Sequence, residues 1–79
     1  MGHKLDLRGV EPPMDYVGAH LLLTLLPPGC RARLVFDDDD AVVHVPRELS
    51  NDGHEILHVQ RNGRSWLVDV CSGQRAHVA

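Results

Sequence analysis

PPMDYVGAHLLLTLLPPG, residues 12–29, opens and closes on a pair of prolines, and the rest of the chain is placed around it. Proline suits a helix start, where its missing N–H has no intrahelical partner, so Pro12-Pro13 predicts an N-terminus. Met14, Val17, Gly18, Leu21, Leu22 and Leu25 then recur at the i, i+3, i+4 spacing of one helical face. Pro27-Pro28-Gly29 ends the helix, because proline cannot continue it and glycine permits the reversal.

Upstream, Leu5-Asp6-Leu7-Arg8 alternates apolar and polar residues and predicts a short strand, stopped by Gly9. Downstream, Ala32, Leu34 and Phe36 alternate with Arg31, Arg33 and Val35 in a second strand that ends at the acidic run Asp37–Asp40. Ala41 to Leu49 contains Pro46, so the reading is one turn of irregular helix and a fresh start near that proline. Ser50-Asn51-Asp52-Gly53 closes it. Asn62-Gly63 is the favoured pair for a two-residue type I′ turn. Centring a hairpin there pairs Val59 with Trp66 and Leu57 with Val68 on an apolar face. His58 then pairs with Leu67, and Ile56 with Asp69, on the other. Trp66 is accordingly expected between sheet and helices, beside Leu57, Val59 and Val68. The order βαβαββ predicts an α/β two-layer sandwich: a four-stranded mixed sheet, its first two strands parallel, with two helices on one face. Residues 5–70 form the expected domain, with 1–4 and 71–79 as flexible ends.

Composition narrows the function classes. The 79 residues allow one domain, and 43% hydrophobic with 24% charged residues is a globular balance rather than a disordered or fibrous one. Leu21–Leu26 is far shorter than the roughly 20 apolar residues of a membrane span, so no membrane association is expected. The N-terminus shows no signal-peptide pattern, and two cysteines cannot form a disulfide-dense scaffold, which points to a cytoplasmic protein with reduced thiols. A net charge of −3 argues against direct nucleic-acid binding. A domain this small has a thin stability margin, for which homodimerisation is one remedy.

His54-Glu55-Ile56-Leu57-His58 spells H-E-x-x-H, but that zinc motif works only on a helix, where residues four apart share a face. In the expected strand the two histidines stand about 13 Å apart at roughly 3.3 Å per residue, too far to chelate one ion. Asp37–Asp40 lacks the alternating ligands, central glycine and terminal glutamate of a calcium loop, and reads as a solvated loop ahead of a helix. The six histidines are scattered without ligand spacing, so no metal or other cofactor is expected. Cys30 and Cys71 lie far apart in sequence with no base beside either.

Together these landmarks resemble the TusA/SirA-like sulfur-carrier family over residues 5 to 70. Leu5-Asp6-Leu7-Arg8-Gly9 is similar to the family's L-D-x-x-G opening, and Pro28-Gly29 to the P-G after its first helix. Asp37-Asp38 matches the D-D ending the second strand, Val45-Pro46 the I-P of the second helix, and His54-Glu55-Ile56 the H-E-L beginning the third strand. In that family a persulfide-carrying cysteine opens the first helix as C-P-x-P. Counted from Gly9, the cysteine's place falls on Pro12; Pro13 matches the first proline, and Asp15 stands where the second would be.

The resemblance therefore implies a family member without the usual sulfur-relay cysteine, presenting Arg8, Glu11, Pro12 and Pro13 to a protein partner as a binding or regulatory module. One alternative is a sulfur carrier that uses Cys71 or Cys30. Another is a structural subunit dimerising through an open sheet face of Val35, Ile56 and Leu67. With Asp15 solvated, a cysteine introduced at position 12 is expected to ionise below the reference of about 8.5, favoured by the helix start.

Overall fold

The structure is a computed structural model and describes residues 2–73. Six elements follow the expected order: β1 (His3–Asp6), α1 (Met14–Leu25), β2 (Arg31–Phe36), α2 (Ala41–Asn51), β3 (Glu55–Asn62) and β4 (Ser65–Cys71). The sheet order is β1-β2-β4-β3, with β1 parallel to β2 and the other two pairings antiparallel. Strand residues that alternate toward the helices, Ala32, Leu34, Phe36, Val68 and Val70, are buried with Ala19 and Leu23 of α1 and Val45 and Leu49 of α2. This is the two-layer α/β sandwich read from the sequence. Full burial of each larger side chain contributes about 1.5–3 kcal/mol.

The buried face of α1 differs from the one its periodicity suggested. Asp15, Ala19 and Leu23 point inward, with Tyr16, Leu22 and Leu26 packed alongside, while Met14, Leu21 and Leu25 are exposed, Leu25 at 80%. Leu21-Leu22-Leu23 and Leu25-Leu26 make the helix apolar almost all round, so several faces satisfied the same spacing. The small residues decided it: Gly18 lies 3.7 Å from Leu7 by a virtual Cβ, and Ala19 has no exposed surface.

α2 is one helix rather than two pieces, with Pro46 inside it. The proline forfeits a single bond, to the Val42 carbonyl. Around it the backbone is already committed: His44 N–H reaches Asp40 O at 3.0 Å, and Val45, Pro46 and Leu49 bury together against the sheet.

The hairpin also turns one residue later than expected. Asn62 pairs with Ser65, so Gly63-Arg64 forms the turn, with Gly63 at φ +65° and, among the described residues, no residue other than glycine at positive φ. Glycine first in a two-residue loop fits a II′ turn, whereas the I′ turn would have forced Asn62 to positive φ. The slip re-pairs the ribbon: Val59 faces Val68, Arg61 faces Trp66, Gln60 faces Leu67 and His58 faces Asp69. A bulge at Leu57 then shifts the register, so Ile56 pairs with Val70 and joins the core, while Leu57 is exposed. Trp66 is half-buried against the core without Leu57 beside it, and Val59 stays exposed.

Ordered structure extends past both expected ends of the domain. β1 starts at His3 and β4 runs to Cys71. Ser72 is buried, its hydroxyl donating to Pro27 O at 2.6 Å and accepting from Cys30 N–H at 3.0 Å. Gly73 donates its N–H to His54 Nδ1 at 2.9 Å. The rest of the expected flexible tail, including His77, lies outside the described residues.

Candidate functional site

Residues 7–13 link β1 to α1 and carry the four residues singled out as a partner surface. Arg8, Glu11, Pro12 and Pro13 are all exposed. Arg8 turns back on Asp6: its guanidinium donates to both carboxylate oxygens at 2.9 and 2.6 Å, and its backbone N–H donates to Oδ1 at 3.0 Å. These bonds hold the Asp6 carboxyl down to about 2. The loop is anchored at Gly9, whose positive φ of +77° suits glycine and whose N–H donates to Asp37 Oδ1 at 3.2 Å. Glu11 O accepts from Met14 N–H as the helix starts, and Pro13 stands at the cap.

Pro12 forms a ridge between two grooves. One, of about 260 Å³, lies toward β1 and β2 and includes Val10, Glu11 and Asp37. The other, of about 460 Å³, runs between the start of α1 and α2, lined by Pro12, Pro13, Asp15, Tyr16, Asp38, Asp40, His44, Val45 and Glu48. Asp15 is only 3% exposed, so the expectation of a solvated carboxylate there is corrected. α2 packs alongside α1 and covers it, which no local pattern in α1 could reveal.

The acidic run is tied into the fold rather than merely solvated. Asp37 receives Gly9, Asp38 Oδ1 accepts Asp40 N–H at 2.9 Å, and Asp39 Oδ1 accepts the Trp66 indole N–H at 3.0 Å. Farther along α1, Tyr16 donates its hydroxyl to Asp52 Oδ2, which also lies 3.1 Å from His20 Nδ1. The neighbouring carboxylate, with burial, pushes the Tyr16 phenol up to about 12. Sequence reading missed this pairing and the groove residues Tyr16, His44 and Glu48. Tyr16 and His20 sit one helical turn apart, the one local signal of a shared partner.

The cysteines are remote from this end. Cys30 precedes β2 and Cys71 closes β4, both half-buried free thiols, while α1 spans about 18 Å from Pro12's end to theirs. His54 is buried in the loop before β3, and His58 lies on β3 with Nε2 3.1 Å from Gln60 Oε1, so the two do not share the helical face a zinc motif requires. The open sheet face is more polar than expected. It carries the Arg33–Asp69 pair at 2.8 Å, with Val35 buried and Ile56 turned to the opposite side. Among the described residues no helix is long and apolar enough to cross a membrane.

The site end of the molecule is thus a βαβαββ sandwich whose first helix opens beside Pro12, with a groove on either side. The chain is 34% identical over 65 residues to the "Putative sulfur carrier protein" of Archaeoglobus fulgidus, covering 81% of this chain and 74% of that one. The fold matches the SirA-like protein of Desulfitobacterium hafniense with a TM-score of 0.76 at 17% identity, over 94% of this chain and all of the other. A Helicobacter pylori protein solved in solution aligns with a TM-score of 0.67 at 22% identity, over 90% and 97% of the two chains. No family model matches the chain. On this similarity the chain belongs to the TusA/SirA-like sulfur-carrier family.

Proposed function

We propose that this protein is a sulfur-carrier-family member that does not itself carry persulfide, and that it acts in the cytoplasm as a protein-binding or regulatory module related to sulfur relay. The observation behind this reading is Pro12. It stands one residue ahead of Pro13, the cap of α1, where the family's C-P-x-P motif would put its cysteine, and proline offers neither a thiol nor an N–H. Both thiols of the chain lie toward the other end of α1, away from the amides and dipole that favour a thiolate. The surface left for a partner is the exposed loop of Arg8, Glu11, Pro12 and Pro13 with the grooves on either side of Pro12.

The test is persulfide loading. Wild-type protein, Cys30→Ser and Cys71→Ser are incubated with a persulfide donor and weighed by mass spectrometry. The module reading expects no added sulfur beyond adventitious thiol oxidation. Stoichiometric sulfur that disappears in one of the two serine variants would instead make that cysteine a carrier.

A further inference from the structure

α1 is apolar on two sides, and the fold of a single chain uses one of them. Asp15, Ala19 and Leu23 pack inward. Met14, Leu21 and Leu25 face outward at 58%, 56% and 80% exposure, with Val17, Gly18 and Leu22 half-buried beside them. These six make the apolar stripe of the helix, at i, i+3, i+4 spacing. The ionisable side chains of α1 lie elsewhere: Asp15 is buried, and Tyr16 and His20 both turn to Asp52. A charge-free apolar strip along a whole helix is a surface that monomers in water rarely keep uncovered.

A second copy of this chain fits the strip for three physical reasons. Two copies, each at −3, repel least where neither presents a carboxylate, and Asp37–Asp40, Glu48 and Asp52 all lie away from this face, in α2 and its flanking residues. The stripe also reads the same in both directions. About a twofold axis between Ala19 and His20, an antiparallel second helix sets Met14 opposite Leu25, Val17 opposite Leu22 and Gly18 opposite Leu21. Finally, a domain of 79 residues whose cysteines are free, and which assembles no metal-ligating cluster among the described residues, has the small core that dimerisation commonly supplements.

We propose that two copies associate reversibly through the outer faces of their α1 helices, antiparallel about that axis. A face of this length presents on the order of 500 Å² per copy, less than the roughly 800 Å² of a standard interface and enough for a reversible one. Each copy's Pro12-Pro13 then stands beside the other's Pro27-Pro28, so the dimer offers two partner loops about one helix length, roughly 18 Å, apart. The inference goes beyond the module reading and does not depend on it.

The experiment is sedimentation velocity of the full chain from about 5 μM to 1 mM. The weight-average mass should rise from 8.8 kDa toward twice that value, with a Kd of about 0.1 mM. Leu21→Glu should raise the Kd at least about tenfold by setting like charges against each other across the axis. Leu25→Glu, at the most exposed position, should do the same and serves if Leu21→Glu fails to fold. Leu57→Glu, exposed on β3, should leave the Kd unchanged. In NMR spectra the amides of Val17, Leu21 and Leu25 should move with concentration. A mass that stays at 8.8 kDa to about 1 mM, association that survives in a folded glutamate variant of α1, or shifts centred on the open sheet face would each overturn the proposal. Persulfide loading of Cys30 or Cys71 bears on the module reading alone.

Discussion

Trp66 donates its indole N–H to Asp39 Oδ1 at 3.0 Å, joining β4 to the acidic loop that leads into α2. The opposite strand adds Arg61, whose guanidinium carbon lies 4.9 Å from the ring centroid. Half-buried, Trp66 is a clasp at the edge of the core rather than its centre. Trp66→Ala should therefore cost about 1–3 kcal/mol, below the 3–5 of a fully buried aromatic. Trp66→Phe, which keeps the ring and loses the N–H, should cost about 1 kcal/mol. Urea unfolding midpoints measure both; a loss above about 4 kcal/mol for the alanine would return the ring to the core.

Gly73 leaves no room for a side chain. A Cβ there would lie 1.8 Å from Gly53 O, and both partners in that clash are backbone. Gly73→Ala should destabilise by about 1–3 kcal/mol through displacement of the strand end. Gly2→Ala, with nothing within 4 Å, should be neutral and serves as the control. Equal thermal midpoints for the two variants would count against the close approach.

The Tyr16–Asp52 bond gives stability a dependence at high pH. The folded phenol is raised from 10.0 to about 12, chiefly by that bond. A group whose folded value lies above its unfolded value stabilises fully below the unfolded one and loses that contribution as pH rises to the folded one. Wild-type stability relative to Tyr16→Phe should thus decline between about pH 10 and 12 and be constant below. Parallel curves for the two proteins across that window would mean that the phenol does not titrate as described.

Burial of Asp15 changes what an engineered thiol at position 12 should do. In Pro12→Cys, the withdrawn carboxylate and its acidic neighbours in the groove oppose a second negative charge. The new thiol should titrate at or above the reference of about 8.5, despite the nearby helix start. Adding Asp15→Pro, which completes the family's C-P-x-P spacing, should lower it by about one unit. Rates of alkylation against pH read both values. A single variant ionising well below the reference would show the helix start outweighing the groove.

Element order was legible because punctuation marked it: Pro12-Pro13 and Pro27-Pro28 bracket α1, Asp37–Asp40 precedes α2, and a glycine turn joins the last two strands. Registers and faces were harder. Asn62-Gly63 offered one turn and Gly63-Arg64 took it, because the choice is made by Val68 and Val70 reaching the core together with the Leu57 bulge, not by the dipeptide. α1 could not declare its inner face while it was apolar on nearly every side. At the site, the exposed partner loop was readable from residues 8–13. The buried state of Asp15 was not, since it comes from α2, which arrives 26 positions later at Ala41.

The Leu57 bulge lies on β3, one of the sheet's two outermost strands. An outer strand leaves half its backbone donors and acceptors open, and a regular one is a template on which another chain can crystallise into an endless ribbon. The irregular step at Leu57, with Glu55 and Arg61 charged to either side, breaks the straight run that such growth needs. The step that turns Leu57 outward therefore also makes β3 a poor template for the addition of a further strand.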